Sequence, residues 1–413
     1  MAVAAVSNTH SSITASVITD TELERLCTSL LSGWESISDE RVARLIELLS
    51  TPEANDLSVD TLTDLLYSLT VKKNFDAVKA LLKHPKAKDI APVQLEKAFA
   101  HDSLDAECID LYFTLPQSKD FCIVSLFRVI DMTIGNAVVD VHKADQSAKG
   151  YYFGTYEMPN LADVVEAIQR IWTHPNIMNF SKEDLQILLL NLCESSLDCN
   201  VDIARIILSH PKAKEIPAVG PTIRYVRGRP MEIKGCPRGG IALLIIEAGN
   251  SKQFGLMYEL ASHPHYAEIP VETLGYISER LAYNGITEAL ELVLVHPNAS
   301  SLPTEGYRGL GSIFVNACKS ENVDCARRVL SCPEATRIPG RPSDSTMDWQ
   351  FCTLSSALLV ASNNPGLTEL VLNHSNARDI PLDTINEIKN ITSNEDCMRL
   401  LNDFIASLSE DQE

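Results

Sequence analysis

Basic side chains are scarce in this chain. Its 413 residues hold 35 Lys and Arg against 55 Asp and Glu, a net charge of −20. That deficit excludes a general binder of nucleic acid or anionic membranes, because both would be repelled. Cysteine is sparse as well: eleven residues, an odd number, fall far below the density of a disulfide-stapled scaffold. They read as reduced thiols in a cytoplasmic protein. Long apolar runs are missing. The densest, Ile241 to Ile246, stops at Glu247, well short of the ~18–20 residues of a membrane span. No Lys or Arg precedes Arg25, so the start of the chain does not read as a signal peptide, and residues 1–19 are expected to be a flexible tail. A phosphate loop, a nucleophile elbow and a dinucleotide fingerprint are all absent. Apolar residues are not lacking: they make up 45%, ordinary for a globular chain and too many for disorder.

What the chain does have is repetition. His-Pro recurs at His84-Pro85, His174-Pro175, His210-Pro211, His263-Pro264 and His296-Pro297, with variants at Thr51-Pro52, Leu115-Pro116, Cys332-Pro333 and His374-Ser375. Counted from Pro52, the spacings are 33, 31, 59, 36, 53, 33, 36 and 42. The basic period is therefore near 33–36, and the long intervals are the same unit carrying insertions. The flanks repeat too: an Ile-Pro follows at Ile216-Pro217, Ile269-Pro270, Ile338-Pro339 and Ile380-Pro381.

Each part of the unit has a physical role. Val201 to Leu208 has the apolar spacing of a short amphipathic helix, with Val201, Ala204 and Leu208 on one face. Asn200 and Asn322 stand where an N-cap is needed, and Asp202 and Asp324 sit in the first turn facing the helix dipole. The proline after it ends the helix. Ile-Pro restarts the chain, with proline at the first helical position. A second helix follows, for example Val271 to Tyr283, and Asn284-Gly285 turns the chain back. The unit is helix, tight turn, helix, then a loop of about eight residues. About ten such pairs are expected, the first near Thr21–Leu49 and the last near Leu382–Leu408. A pair this short buries its apolar face only by stacking on its neighbours.

The stretch Leu281 to Ala299, with its Asn-Gly turn and its apolar helix closing on His296-Pro297, resembles the ankyrin repeat. Leu81-Leu-Lys-His-Pro85 and His174 to Asn179 are similar to a variant in which Pro replaces the usual Gly. The resemblance covers about residues 20–410. The Thr-Pro-Leu-His opening of that family is missing from every unit. The resemblance implies a protein-binding scaffold and implies no ligand. The fold class expected is therefore all-α, a solenoid of about ten helix-turn-helix repeats spanning residues 20–408, with a solvated acidic tail at 409–413.

Three insertions interrupt the period, at about 135–160, 218–240 and 340–348. The first holds Tyr151, Tyr152 and Tyr156. The second carries Arg224, Tyr225, Arg227, Arg229, Lys234 and Arg238; five cations against Glu232 leave it at +4 on an acidic chain. The third ends beside Trp349. Long loops on a repeat scaffold often carry binding, and Arg and Tyr are common anchors. Candidate partner-binding residues are thus Arg224, Tyr225, Arg227, Arg229, Arg238, Tyr151, Tyr152, Tyr156 and Trp349. The basic loop either docks on the acidic body or reaches for an acidic or phosphorylated partner.

Metal chemistry is not expected. Six of the ten His sit at the repeated dipeptide, about 33 or more positions apart, a ladder of helix ends or backbone-bonding side chains rather than a cluster. Cys193 and Cys199, and Cys318, Cys325 and Cys332, are spaced too widely for a zinc site and fall on repeat helices. Cys325 occupies the slot of Ile203, which marks it as a core residue. The reading is a non-enzymatic, monomeric scaffold without cofactors that binds one or more proteins through its concave face and inserted loops, with no nucleic acid and no membrane. A HEAT-like carrier of basic cargo fits less well, since its units run to about 40–47 residues. A host-directed effector with a site built from the insertions has no reaction class behind it.

Overall fold

The computed structural model describes residues 22–32, 38–101, 104–148, 160–195, 197–220, 222–226, 229–233, 239–341 and 352–410. Among them are twenty α-helices and one β-hairpin. The chain divides into two compact units, Met1–Phe121 and Cys122–Glu413, where the sequence suggests a single array. No described helix is long and apolar enough to cross a membrane.

The first unit holds three helix pairs: α1 (Glu22–Ser32) with α2 (Asp39–Leu49), α3 (Val59–Val71) with α4 (Phe75–Leu82), and α5 (Pro92–Phe99) with α6 (Ala106–Thr114). The second holds seven. They are α7 (Ile123–Ala148) with α8 (Leu161–Trp172), α9 (Lys182–Glu194) with α10 (Asn200–Leu208), and α11 (Ile241–Asn250) with α12 (Phe254–Ala261). Then come α13 (Val271–Tyr283) with α14 (Thr287–Leu294), α15 (Leu310–Lys319) with α16 (Val323–Leu330), α17 (Leu354–Ala361) with α18 (Pro365–Leu372), and α19 (Leu382–Ile391) with α20 (Glu395–Glu410). Within each unit first helices pack on first helices and second on second, so each pair touches its sequence neighbours in two rows. The ten pairs match the repeat count. The last helix runs on to Glu410, so the first two residues of the expected acidic tail are helical.

The prolines do not simply stop helices. Pro85, Pro175, Pro211 and Pro333 each open a short 3₁₀ helix, as in Pro85–Asp89, where a missing N–H costs nothing. The histidine before proline staples one pair to the pair before it. Lys86 N–H donates to His84 Nδ1 at 3.1 Å, so Nδ1 is the bare nitrogen and Nε2 carries the proton. Nε2 then donates to the Ala54 carbonyl at 3.0 Å. The same two bonds recur in the second unit. His210 reaches the Ile177 carbonyl at 3.1 Å, His263 that of Ala213 at 2.9 Å, His296 that of Tyr266 at 2.8 Å and His374 that of Ala335 at 2.8 Å. Each acceptor sits three residues past the equivalent position of the previous pair. The ladder expected from spacing is therefore a ladder of backbone staples. A second rung lies two residues on, where Asn298 and Asn376 donate to the Ile269 and Ile338 carbonyls at 3.0 and 2.9 Å.

Asn322 caps α16 as expected, accepting from the N–H groups of Asp324 and Cys325. Asn200 does not cap α10. It is fully buried, and its amide donates to the Leu192 carbonyl and Ser195 Oγ of the previous segment. The inward face of α10 is Ile203, Ala204 and Ile207. Cys325 and Ile203 are both fully buried, as their shared slot implies. Gly285 turns α13 into α14 with φ +66°; Lys73, Lys252 and Glu321 hold the same left-handed backbone in other pairs.

The insertions differ from plain loops. Residues 135–148 of the first continue α7 as helix, because Ala137 and the residues before it still find neighbours to bury against. The second is a hairpin of β1 (Thr222–Val226) and β2 (Arg229–Ile233), closed by a bridge between Gly220 and Gly239. β1 lies alongside α9. On α9 every residue from Asp184 to Leu190 is buried.

Candidate functional site

The helix after an insertion between two pairs begins in one constant way. Ile241 and Ala242 donate their N–H groups to the Pro217 and Ala218 carbonyls at 3.0 Å each. Leu354 and Ser355 do the same to Pro339 and Gly340, and Leu310 and Gly311 to Pro303 and Thr304. Where nothing is inserted, the helix follows the proline directly, as at Pro270 and Pro381. So three excursions of different length leave and re-enter the scaffold at the same splice, the N-terminal ends of α11, α15 and α17. The last of them, residues 304–309, is absent from the sequence reading: α15 is three residues shorter than α13, which hides the extra loop inside an ordinary period.

That short loop builds the most developed site among the described residues. Gly306 and Arg308 take φ +88° and +67°, which folds the loop back across α13. It is pinned by Glu279 of α13, whose Oε1 accepts the Arg308 N–H at 3.2 Å and the Ser312 hydroxyl of α15. Glu279 is only 7% exposed, so the two donors offset part of its desolvation. The pinned loop lays the Arg308 guanidinium over two rings, 4.9 Å from the Tyr307 centroid and 5.4 Å from Tyr276. Beside it α13 and α15 enclose a cavity of about 490 Å³ walled by Tyr276, Tyr283, Tyr307 and Val315, with Glu279, Ser312 and Cys352 among its lining. Burial pushes the Cys352 thiol up, with Glu279 adding to that and the Ser312 hydroxyl opposing it. Arg280 and Lys319 are exposed at this cavity and make no ion pair among the described residues. A second cavity of about 520 Å³ lies on the same helix row between α17 and α19, beside the exposed Leu359 and Ile391.

The second-helix row is different. Three of its cations are paired across the repeats: Arg205 with Glu259 at 2.6 Å, Arg328 with Glu291 at 2.5 Å, and in the first unit Lys79 with Asp105 at 3.0 Å.

None of the sequence-derived site residues is among the described residues that line this cavity. Tyr151, Tyr152, Tyr156, Arg227, Arg238 and Trp349 lie outside the described residues. Arg224, Tyr225 and Arg229 lie on the hairpin strands, where only the backbone is described. Sequence reasoning missed Tyr276, Glu279, Tyr283 and Tyr307. The signal available was three tyrosines, Tyr276 and Tyr283 on α13 and Tyr307 in the loop before α15. Among the described residues, no group of three or more His, Cys, Asp or Glu is placed to hold a metal ion. Compared with known protein families, with curated proteins and with solved structures, the chain finds no match.

Proposed function

We propose that this chain is a non-catalytic protein-interaction scaffold of ankyrin-like helix pairs, which holds partner proteins against its first-helix row and the segments spliced beside it. The observation that carries this is the common splice. Three insertions of unrelated sequence emerge at the same ends of α11, α15 and α17, next to a tyrosine-walled cavity on a regular framework. Variable segments on a rigid repeat scaffold are the arrangement expected of binding loops. Tyr283 and Tyr307 are 56% and 69% exposed there, an unusual place for two large rings unless something covers them. The described cysteines are unpaired and most are buried, which supports a reducing, cytoplasmic setting. The test is to recover a partner with the intact chain, purify it, and measure its binding to Tyr283→Ala with Tyr307→Ala. Binding lost at an unchanged melting temperature supports the reading. Undiminished binding removes this face from it.

A further inference from the structure

The cavity between α13 and α15 has a sign. Glu279 is more than nine-tenths buried, and both of its hydrogen bonds fall on Oε1. Its Oε2 accepts from no described residue and is not an enclosed orphan, and Glu279 is among the residues that line the cavity. A half-satisfied carboxylate on a tyrosine-walled floor asks for a donor that brings charge and a flat or aliphatic body. The ring faces already take a cation, since the chain lays Arg308 on Tyr276 and Tyr307. We propose that this cavity receives an arginine or lysine side chain of a partner protein, with its head group on Glu279 Oε2 and its stem against Tyr283 and Tyr307.

Arg280 and Lys319 at the mouth argue for the opposite sign, and position decides between them. Both are exposed, where solvent and salt screen them over roughly 8–10 Å. Glu279 lies on a buried floor, where a contact of either sign counts for more. An anion entering would meet that carboxylate at close range. The net charge of −20 adds a long-range pull on basic partners.

This inference rests on the protein-binding reading and names the partner chemistry of one of its sites. The probe is a fluorescent peptide alternating glycine and arginine, compared by anisotropy with citrulline and glutamate counterparts of equal length, using the full chain. The arginine peptide should bind, and Glu279→Gln should weaken it about tenfold although the net charge changes by only one. Tyr283→Ala should weaken it about fivefold without moving the melting temperature, because that ring is exposed and bonds to no loop residue. Arg280→Ala with Lys319→Ala should bind as tightly or more tightly. Should Glu279→Gln fail to fold, Tyr283→Ala decides alone. Equal binding by the wild type and both folded single variants would overturn the proposal. So would a preference for the glutamate peptide that vanishes in the double variant, which would mark an anion site. In either case partner capture by the intact chain would survive, leaving the scaffold reading standing.

Discussion

The recurring histidine shows how much one residue can do in a repeat. Its Nδ1 caps the 3₁₀ turn of its own pair, and its Nε2 ties that pair to the one before. Both bonds need the neutral ring, because a proton on Nδ1 would face the Lys212 N–H. Burial pulls the His210 pKa below its ordinary 6.5, the Ile177 carbonyl opposing and Lys212 assisting. Burial likewise lowers His263, with the Ala213 carbonyl opposing. The folded chain then binds these protons less readily than the unfolded one. Stability is full above the unfolded value of about 6.5 and falls as pH drops below it towards the lowered folded values. Denaturant melts at successive pH values should show this loss, and His210→Ala should flatten it while costing about 1–3 kcal/mol at neutral pH. The cysteines make a second case. Burial raises the thiols of Cys27, to about 11, and Cys318, to about 12, whereas Cys122 is exposed. Among the described cysteines, iodoacetamide should modify Cys122 first in the native protein, as peptide mapping would show. The His-Pro repetition was legible in the sequence. Its bonding was not, because each acceptor is a backbone carbonyl about 30–50 residues upstream, and carbonyls leave no mark on residue identity.

At the scale of the element, the regularity lies in how helices begin. Period and punctuation gave the count of about ten pairs, since Asn, Pro and Ile-Pro mark the joints directly. They misjudged the insertions, reading 135–160 as loop where α7 continues and overlooking 304–309 altogether. A count of residues between prolines cannot separate a longer loop from a shorter helix. Crossing of the loop over α13 also requires space. A Cβ on Gly275 would collide with the Arg308 carbonyl oxygen, and one on Gly311 with that of Cys352, both backbone atoms that cannot swing aside. Gly275→Ala should therefore lift the 304–309 loop, loosen the Arg308 N–H from Glu279, and cost about 1–3 kcal/mol in a denaturant melt. A cost near zero would mean that the loop does not cross there.

At the scale of the molecule, each unit is a stack in which a pair packs on its sequence neighbours. Leu244 is fully buried in α11, which packs on α9 and α13, so Leu244→Asp places an unpaired charge between neighbours. In a nearest-neighbour stack this should interrupt the second unit rather than unfold it at once, and limited proteolysis should release stable fragments on either side of residue 240. Function is the less legible part. The composition argues only against classes of partner, and the cavity arises from three tyrosines and a glutamate that meet only after α13, α15 and a hidden loop are stacked. Binding of partners across this first-helix row is the proposal that the fold supports. It is tested most directly by hydrogen–deuterium exchange of the full chain, with and without a partner recovered by capture. Binding should slow exchange at residues 276–283, 304–309 and 312–319. Protection confined to the second helices α14 and α16, with those segments unchanged, would contradict the account.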